Sequence, residues 1–92
     1  MSAIDALLSA PVKRVALPSP ADRKRLRKAQ GLTQAQVADA LNVKPGTVSA
    51  WETPDRWEPR GTVRELYAEL LRRIAERLGE STDWEGTTDD DQ

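Results

Sequence analysis

The sequence predicts an all-α fold, a bundle of four to five helices of which the last is long. Three observations carry this. Apolar residues recur at Val63, Leu66, Tyr67, Leu70, Leu71, Ile74 and Leu78, the stripe of a helix buried along one side, while charged residues take its other faces. Helix-start signals stand at Ser19, Thr33 and Thr62, hydroxyl residues able to accept from a free amide of the first turn. No stretch alternates apolar and polar residues with period two, so no half-buried strand is expected.

Each element follows from local chemistry. Ser2 can cap a short helix with Asp5 in its first turn and Ile4, Leu7 and Leu8 on one face, stopped by Pro11. Prolines at 11, 18 and 20 make the following residues an extended linker, so 1–18 forms a helix-and-linker segment. Ser19-Pro20-Ala21-Asp22 opens a helix that should run to about Gln30 and end at Gly31. Thr33-Gln34-Ala35-Gln36 is a capping box, with Leu32 and Val37 placed as a hydrophobic staple. Ala35 and Ala38 are small enough to let another helix approach closely. Asn42 tolerates the left-handed conformation that ends this helix, and Lys44-Pro45 opens a third, with Val48 and Trp51 on its inner face. So short a connection forces a steep crossing and leaves the outer face of the third helix prominent. Residues 51–60 hold two prolines and read as a loop. Thr62-Val63-Arg64-Glu65 is a second capping box, opening a helix to Gly79 and closing a domain at 19–79. Residues 80–92 contain one large apolar side chain, Trp84, and are expected to be a disordered tail.

Composition narrows the function. Without His or Cys among 92 residues, the chain lacks the usual general base, the thiol nucleophile and the soft metal ligands. An enzyme is not expected, nor a metal, a cofactor or a small-molecule substrate. No uncharged run is long enough to span a bilayer and no signal segment is seen, so a cytoplasmic protein without membrane association is expected. The net charge of −1 conceals a segregation. Residues 1–79 carry 14 cations against nine acids, a net +5, whereas 80–92 carry six acids and no cation. A basic body invites a polyanion, and the acidic end is expected either to compete with that partner for the basic face, to serve as a passive solubilising end, or to begin a linker to a further domain. Arg23, Lys24, Arg27, Lys28 and Arg56 are phosphate candidates on charge alone, although a cationic run on a helix is also an ordinary solvated face.

Two helices joined by a tight turn, the first strongly capped and the second short and amphipathic, make a helix-turn-helix. From Gly31 to Glu52 the order Leu32-Thr33-Gln34, Val37-Ala38, Leu41-Asn42-Val43 and Thr47-Val48-Ser49-Ala50-Trp51-Glu52 resembles the phage Cro/CI repressor family, also called the xenobiotic-response-element family. The resemblance covers about residues 21–79. The Trp51-Glu52-x-Pro54 loop and the long last helix also look like the amino-terminal domain of actinobacterial telomere-associated proteins. The resemblance implies binding to double-stranded DNA, with the helix 45–51 in the major groove. It implies that Gln34 donates to a backbone phosphate, with Thr33 as its cap neighbour. Lys44, Gly46, Thr47, Ser49 and Ala50 would lie on or beside the recognition helix, and Arg60 would reach the backbone or minor groove. Trp51, Val43 and Val48 are core.

The departure is chemical. Pro45, Gly46 and Ala50 stand where long hydrogen-bonding side chains often read bases, and none can make a bidentate base contact. Thr47 and Ser49 each offer one hydroxyl and Ala50 a methyl for thymine, so specificity must draw on close approach at Gly46, DNA shape, or Arg60 in a narrow groove. The family's usual fifth helix is not expected after Gly79. Ile4, Leu7 and Leu8 either fill its place against the long helix or make a homodimer contact. The function expected is a bacterial or phage DNA-binding protein, a transcriptional regulator or repressor acting at the nucleoid. The alternative is a protein-interaction domain that keeps the fold without reading bases.

Overall fold

The computed structural model describes residues 15–86. Among these residues lie four α-helices, α1 Pro20–Ala29, α2 Gln34–Leu41, α3 Pro45–Trp51 and α4 Gly61–Arg77, followed by a 3₁₀ turn at Asp83–Gly86. No strand occurs among the described residues. The expected amino-terminal helix, with Ile4, Leu7 and Leu8, lies outside them.

The helix ends are set locally. Ser19 Oγ accepts from the Asp22 amide at 3.2 Å, and Pro20 takes the first position of α1, where its missing N–H removes no bond. Thr33 and Gln36 exchange the two bonds of the capping box, at 3.0 and 2.8 Å. Asn42 turns left-handed at φ 59°, and the Val43 amide then reaches back to the Ala38 carbonyl at 2.9 Å, closing α2. The capping box at Thr62 does not form. α4 begins earlier, at Gly61, with Arg60 in the cap position and no side-chain bond there. Thr62 is therefore already inside the helix. Arg64 instead ties this start down, donating to the Pro59 carbonyl at 3.1 Å and to Val15 at 2.6 Å.

Leu26 of α1, Val37, Ala38 and Leu41 of α2, Val48 and Trp51 of α3, and Tyr67, Leu71, Ile74 and Ala75 of α4 make one core. α2 packs on α3, while α4 crosses α1 and α2 behind them. Leu32 joins the core as the staple requires. Ala38 is buried in the helix contact but Ala35 is exposed, so only one of the two small residues is used for close packing. Along α4 the buried stripe is rotated from the expected one, taking in Ala68 and Ala75 and leaving Leu66 exposed. At about 100° per residue, Leu66 stands a quarter-turn from Tyr67, on the far side from Ala68.

Ordered structure also passes the expected boundary at Gly79. Glu80 pairs with Arg25 of α1 at 2.9 Å, and Trp84 packs against the core. One indole, held by a 3₁₀ turn and anchored by an ion pair just before it, finds enough apolar surface to be retained, which composition alone did not indicate.

The Tyr67 ring packs on Trp51 with centroids 4.8 Å apart, and its hydroxyl is buried without a hydrogen-bond partner. Burial pushes the phenol pKa up, reinforced by Glu52 and opposed by Arg23 and Arg27. The folded chain thus keeps this proton longer than the unfolded chain, so deprotonation favours unfolding. Tyr67→Phe should leave stability near neutral pH unchanged or raise it by up to about 1 kcal/mol, since it deletes an unsatisfied group. In urea titrations the wild type should lose stability as pH rises above the ordinary phenol value of about 10, and the variant should lack that component. A clear loss at neutral pH in the variant would show that the hydroxyl is satisfied by solvent.

Candidate nucleic-acid interface

The cationic run on α1 divides by helical position. Arg23, Leu26 and Arg27 fall on one face and turn inward, so that Arg23 is 4% and Arg27 8% exposed. Arg27 Nε and Nη2 donate to the two oxygens of Glu52 at 2.6 and 2.9 Å, and its Nη1 donates to the Leu32 carbonyl at 2.8 Å. Arg23 donates to Pro18 O at 2.8 Å, to Trp51 O at 2.9 Å and to both oxygens of Glu58 at 2.8 and 3.0 Å. The Trp51 carbonyl is one of those a helix end leaves free, so Arg23 caps α3 from a distance. The Arg27 pKa is raised by its hydrogen bond to Glu52, against desolvation. Neither arginine is available to a phosphate, which corrects the expectation drawn from charge alone.

Glu52, 7% exposed, is the centre of this arrangement. Its Oε1 also accepts from Gln34 Nε2 at 3.0 Å. One amide hydrogen of Gln34 is thus used internally and the second remains for an outside acceptor. Arg27 and Glu52 hold Gln34 at the first turn of α2, beside Thr33, whose hydroxyl is engaged in its cap. A half-buried, pre-oriented donor at a helix amino end is suited to receiving a phosphate oxygen.

On α3 the expected residues separate. Lys44, Gly46 and Ser49 are exposed and Thr47 is half-buried. Ala50 is only 8% exposed. A methyl reaches little beyond its own helix backbone, so Ala50 leaves nothing standing out for a thymine, and its expected base contact is corrected. Nothing lies within 4 Å of the position a Cβ would take at Gly46, and its backbone is not left-handed, so the fold itself does not demand glycine there. Val48 and Trp51 face inward, and half-buried Val43 packs against the core.

The loop from α3 to α4 adds Arg56 and Arg60, both exposed. Among the described residues, Lys24, Lys28, Lys44, Arg56, Arg60 and Arg77 make no ion pair, whereas Arg23, Arg25, Arg27, Arg64, Arg72 and Arg73 do. The available positive charge is therefore smaller than the composition implies. It lies largely around α1, the start of α3 and the following loop. The long-range pairings were missed from sequence, although Arg23 and Arg27 flanking Leu26 at spacings of three and one placed cations on a core-facing side.

Residues 24–54 match the family model described as helix-turn-helix, of the Cro/C1 type, over about a third of the chain. The match runs from within α1 through α2 and α3 to the loop, and it indicates a DNA-binding helix-turn-helix in this segment. The chain matches no curated protein and no solved structure. The all-helical arrangement of the described residues is consistent with a Cro/CI-like bundle. Among the described residues no helix is long and apolar enough to cross a membrane, and no group of acidic side chains is placed to hold a metal ion.

Proposed function

We propose that the protein binds duplex DNA by laying the outward face of α3 in a major groove, and that it regulates transcription as a bacterial or phage repressor-type factor at the nucleoid. The observation that carries this reading is the helix-turn-helix segment 24–54, whose second helix exposes Gly46 and Ser49, with Thr47 half-buried and Lys44 exposed at its cap, followed by exposed Arg56 and Arg60, which make no ion pair among the described residues. Gln34 and the amino end of α2 take one phosphate, and Lys44, Arg56 and Arg60 take others. Base reading is limited to the hydroxyls of Thr47 and Ser49, so sequence preference rests mainly on shape and deformability of the DNA. The narrower likeness to telomere-associated proteins rests on the loop after Trp51 and the length of α4. A homodimer contact through Ile4, Leu7 and Leu8 concerns residues outside those described.

Gly46 provides a sharp test. Because a Cβ there meets no atom of the protein, Gly46→Ala should raise stability by about 0.5–1 kcal/mol through its helix preference. If the backbone of α3 approaches DNA closely at this point, the same variant should bind duplex less tightly despite being more stable. Mobility shift of wild type and variant on random duplex, followed by selection from a random pool, decides it. Wild-type protein that shows no salt-sensitive duplex binding overturns the reading in favour of a protein-interaction domain.

A further inference from the structure

Trp57 is the most exposed large apolar side chain among the described residues, at 68%. It stands in the loop between α3 and α4, between Arg56 and Glu58. The loop is not free to fold Trp57 away. Residue 52 is anchored by Arg27, residue 58 is gripped by both nitrogens of Arg23 and lies 3.6 Å from Arg64, and Pro59 is buried. Asp55 adopts the left-handed conformation at φ 63°, which turns the chain just before the tryptophan. The neighbouring acid, Glu58, is already neutralised by Arg23 and Arg64, while Arg56 and Arg60 on either side are exposed and make no ion pair among the described residues. The result is an exposed indole flanked along the chain by two exposed arginines that make no ion pair among the described residues, with Asp55 as the free acid nearest them in sequence.

We infer that Trp57 is a DNA contact, its ring lying against the sugars of the duplex strand alongside α3 while Arg56 and Arg60 engage flanking phosphates. This rests on the duplex-binding reading above and adds to it an apolar contact that charge does not supply. A flat ring edged by cations matches a backbone of alternating apolar sugars and anionic phosphates, as base-stacking aromatics in cationic grooves match single strands. A second copy of the chain is a poorer occupant. A lone indole offers at most about 250 Å², against about 800 Å² per partner in a stable interface, and two arginines would meet their own copies.

The test uses the intact protein and a random duplex. Trp51 is buried and Trp84 half-buried, so Trp57 dominates quenching by acrylamide, a neutral quencher that leaves ionic strength unchanged. Saturating duplex should protect Trp57 from acrylamide. Trp57→Ala should weaken duplex binding about five- to tenfold with an unaltered salt slope, whereas Arg56→Ala should lower that slope by about 1. Its thermal midpoint should equal that of the wild type, because the side chain it removes is solvated. Duplex binding by the wild type, with Trp57 still open to acrylamide and Trp57→Ala binding equally well, overturns the inference and leaves the DNA reading intact. A fall in sedimentation mass of the free protein on Trp57→Ala, without change in DNA affinity, overturns it in favour of self-association. No duplex binding by the wild type removes both.

Discussion

Glu52→Ala should lose about 3–5 kcal/mol of stability, the usual consequence of removing one partner from a buried ion pair. Folds of this size have roughly 4–10 kcal/mol in total, so the variant should be partly unfolded at room temperature or close to it. The loss is large because two groups, Arg27 and Gln34, are orphaned together. Arg27 retains a buried charge with only the Leu32 carbonyl as partner, Gln34 loses its internal acceptor, and the carboxylate that joined α1, α2 and the end of α3 is gone. Glu52→Gln separates geometry from charge. It keeps one acceptor oxygen and the same shape, so it should fold and unfold at a urea concentration between those of wild type and alanine variant. A loss below about 1 kcal/mol for Glu52→Ala would mean that the pair behaves as a solvated surface bridge, and the account of Gln34 as a pre-oriented donor would fall with it. By contrast the Arg72 and Arg73 pairs with Glu69 and Glu76 lie along the solvent-accessible side of α4, where water screens them, and should contribute far less than the buried Arg27–Glu52 pair.

The second large effect is that of salt on duplex binding. With roughly five phosphate contacts, from Lys44, Arg56, Arg60 and the α1 lysines, raising salt from about 50 to 200 mM should lower duplex affinity by about 10²- to 10³-fold. Lys44→Ala and Arg60→Ala should each lower the slope of log affinity against log salt by about 1. Arg23→Lys should not change that slope, since Arg23 is committed to Glu58 and to the Trp51 carbonyl. Fluorescence anisotropy of a labelled duplex across a salt series measures all of these. A flat salt response in the wild type would exclude phosphate neutralisation as the source of affinity.

Much of the fold was legible in the sequence because its signals are short-range. The Ser19 cap, the Thr33–Gln36 box and the left-handed Asn42 each involve bonds within about five residues, and the interactions that make them are present whatever the rest of the chain does. The failure at Thr62 belongs to the same class in reverse. A motif that could cap is left unused, the helix starting one residue earlier at Gly61, while Arg64 fixes this end by holding a carbonyl 49 residues away, a contact no local signal announces. α3 was harder to read because seven residues make only two turns, too few for a period to show that Ala50 is covered.

The sequence by itself determined an all-α chain, its helix-turn-helix and the identity of the core residues Val37, Leu41, Val48, Trp51 and Leu71, because capping and apolar periodicity act locally. Only the tertiary structure decided which cations are free. Arg27 finds Glu52 across 25 residues and Arg23 finds Glu58 across 35, and such pairings exist only once the helices have packed. The charge that remains for a polyanionic partner is what folding leaves unpaired, and composition cannot show how that division falls.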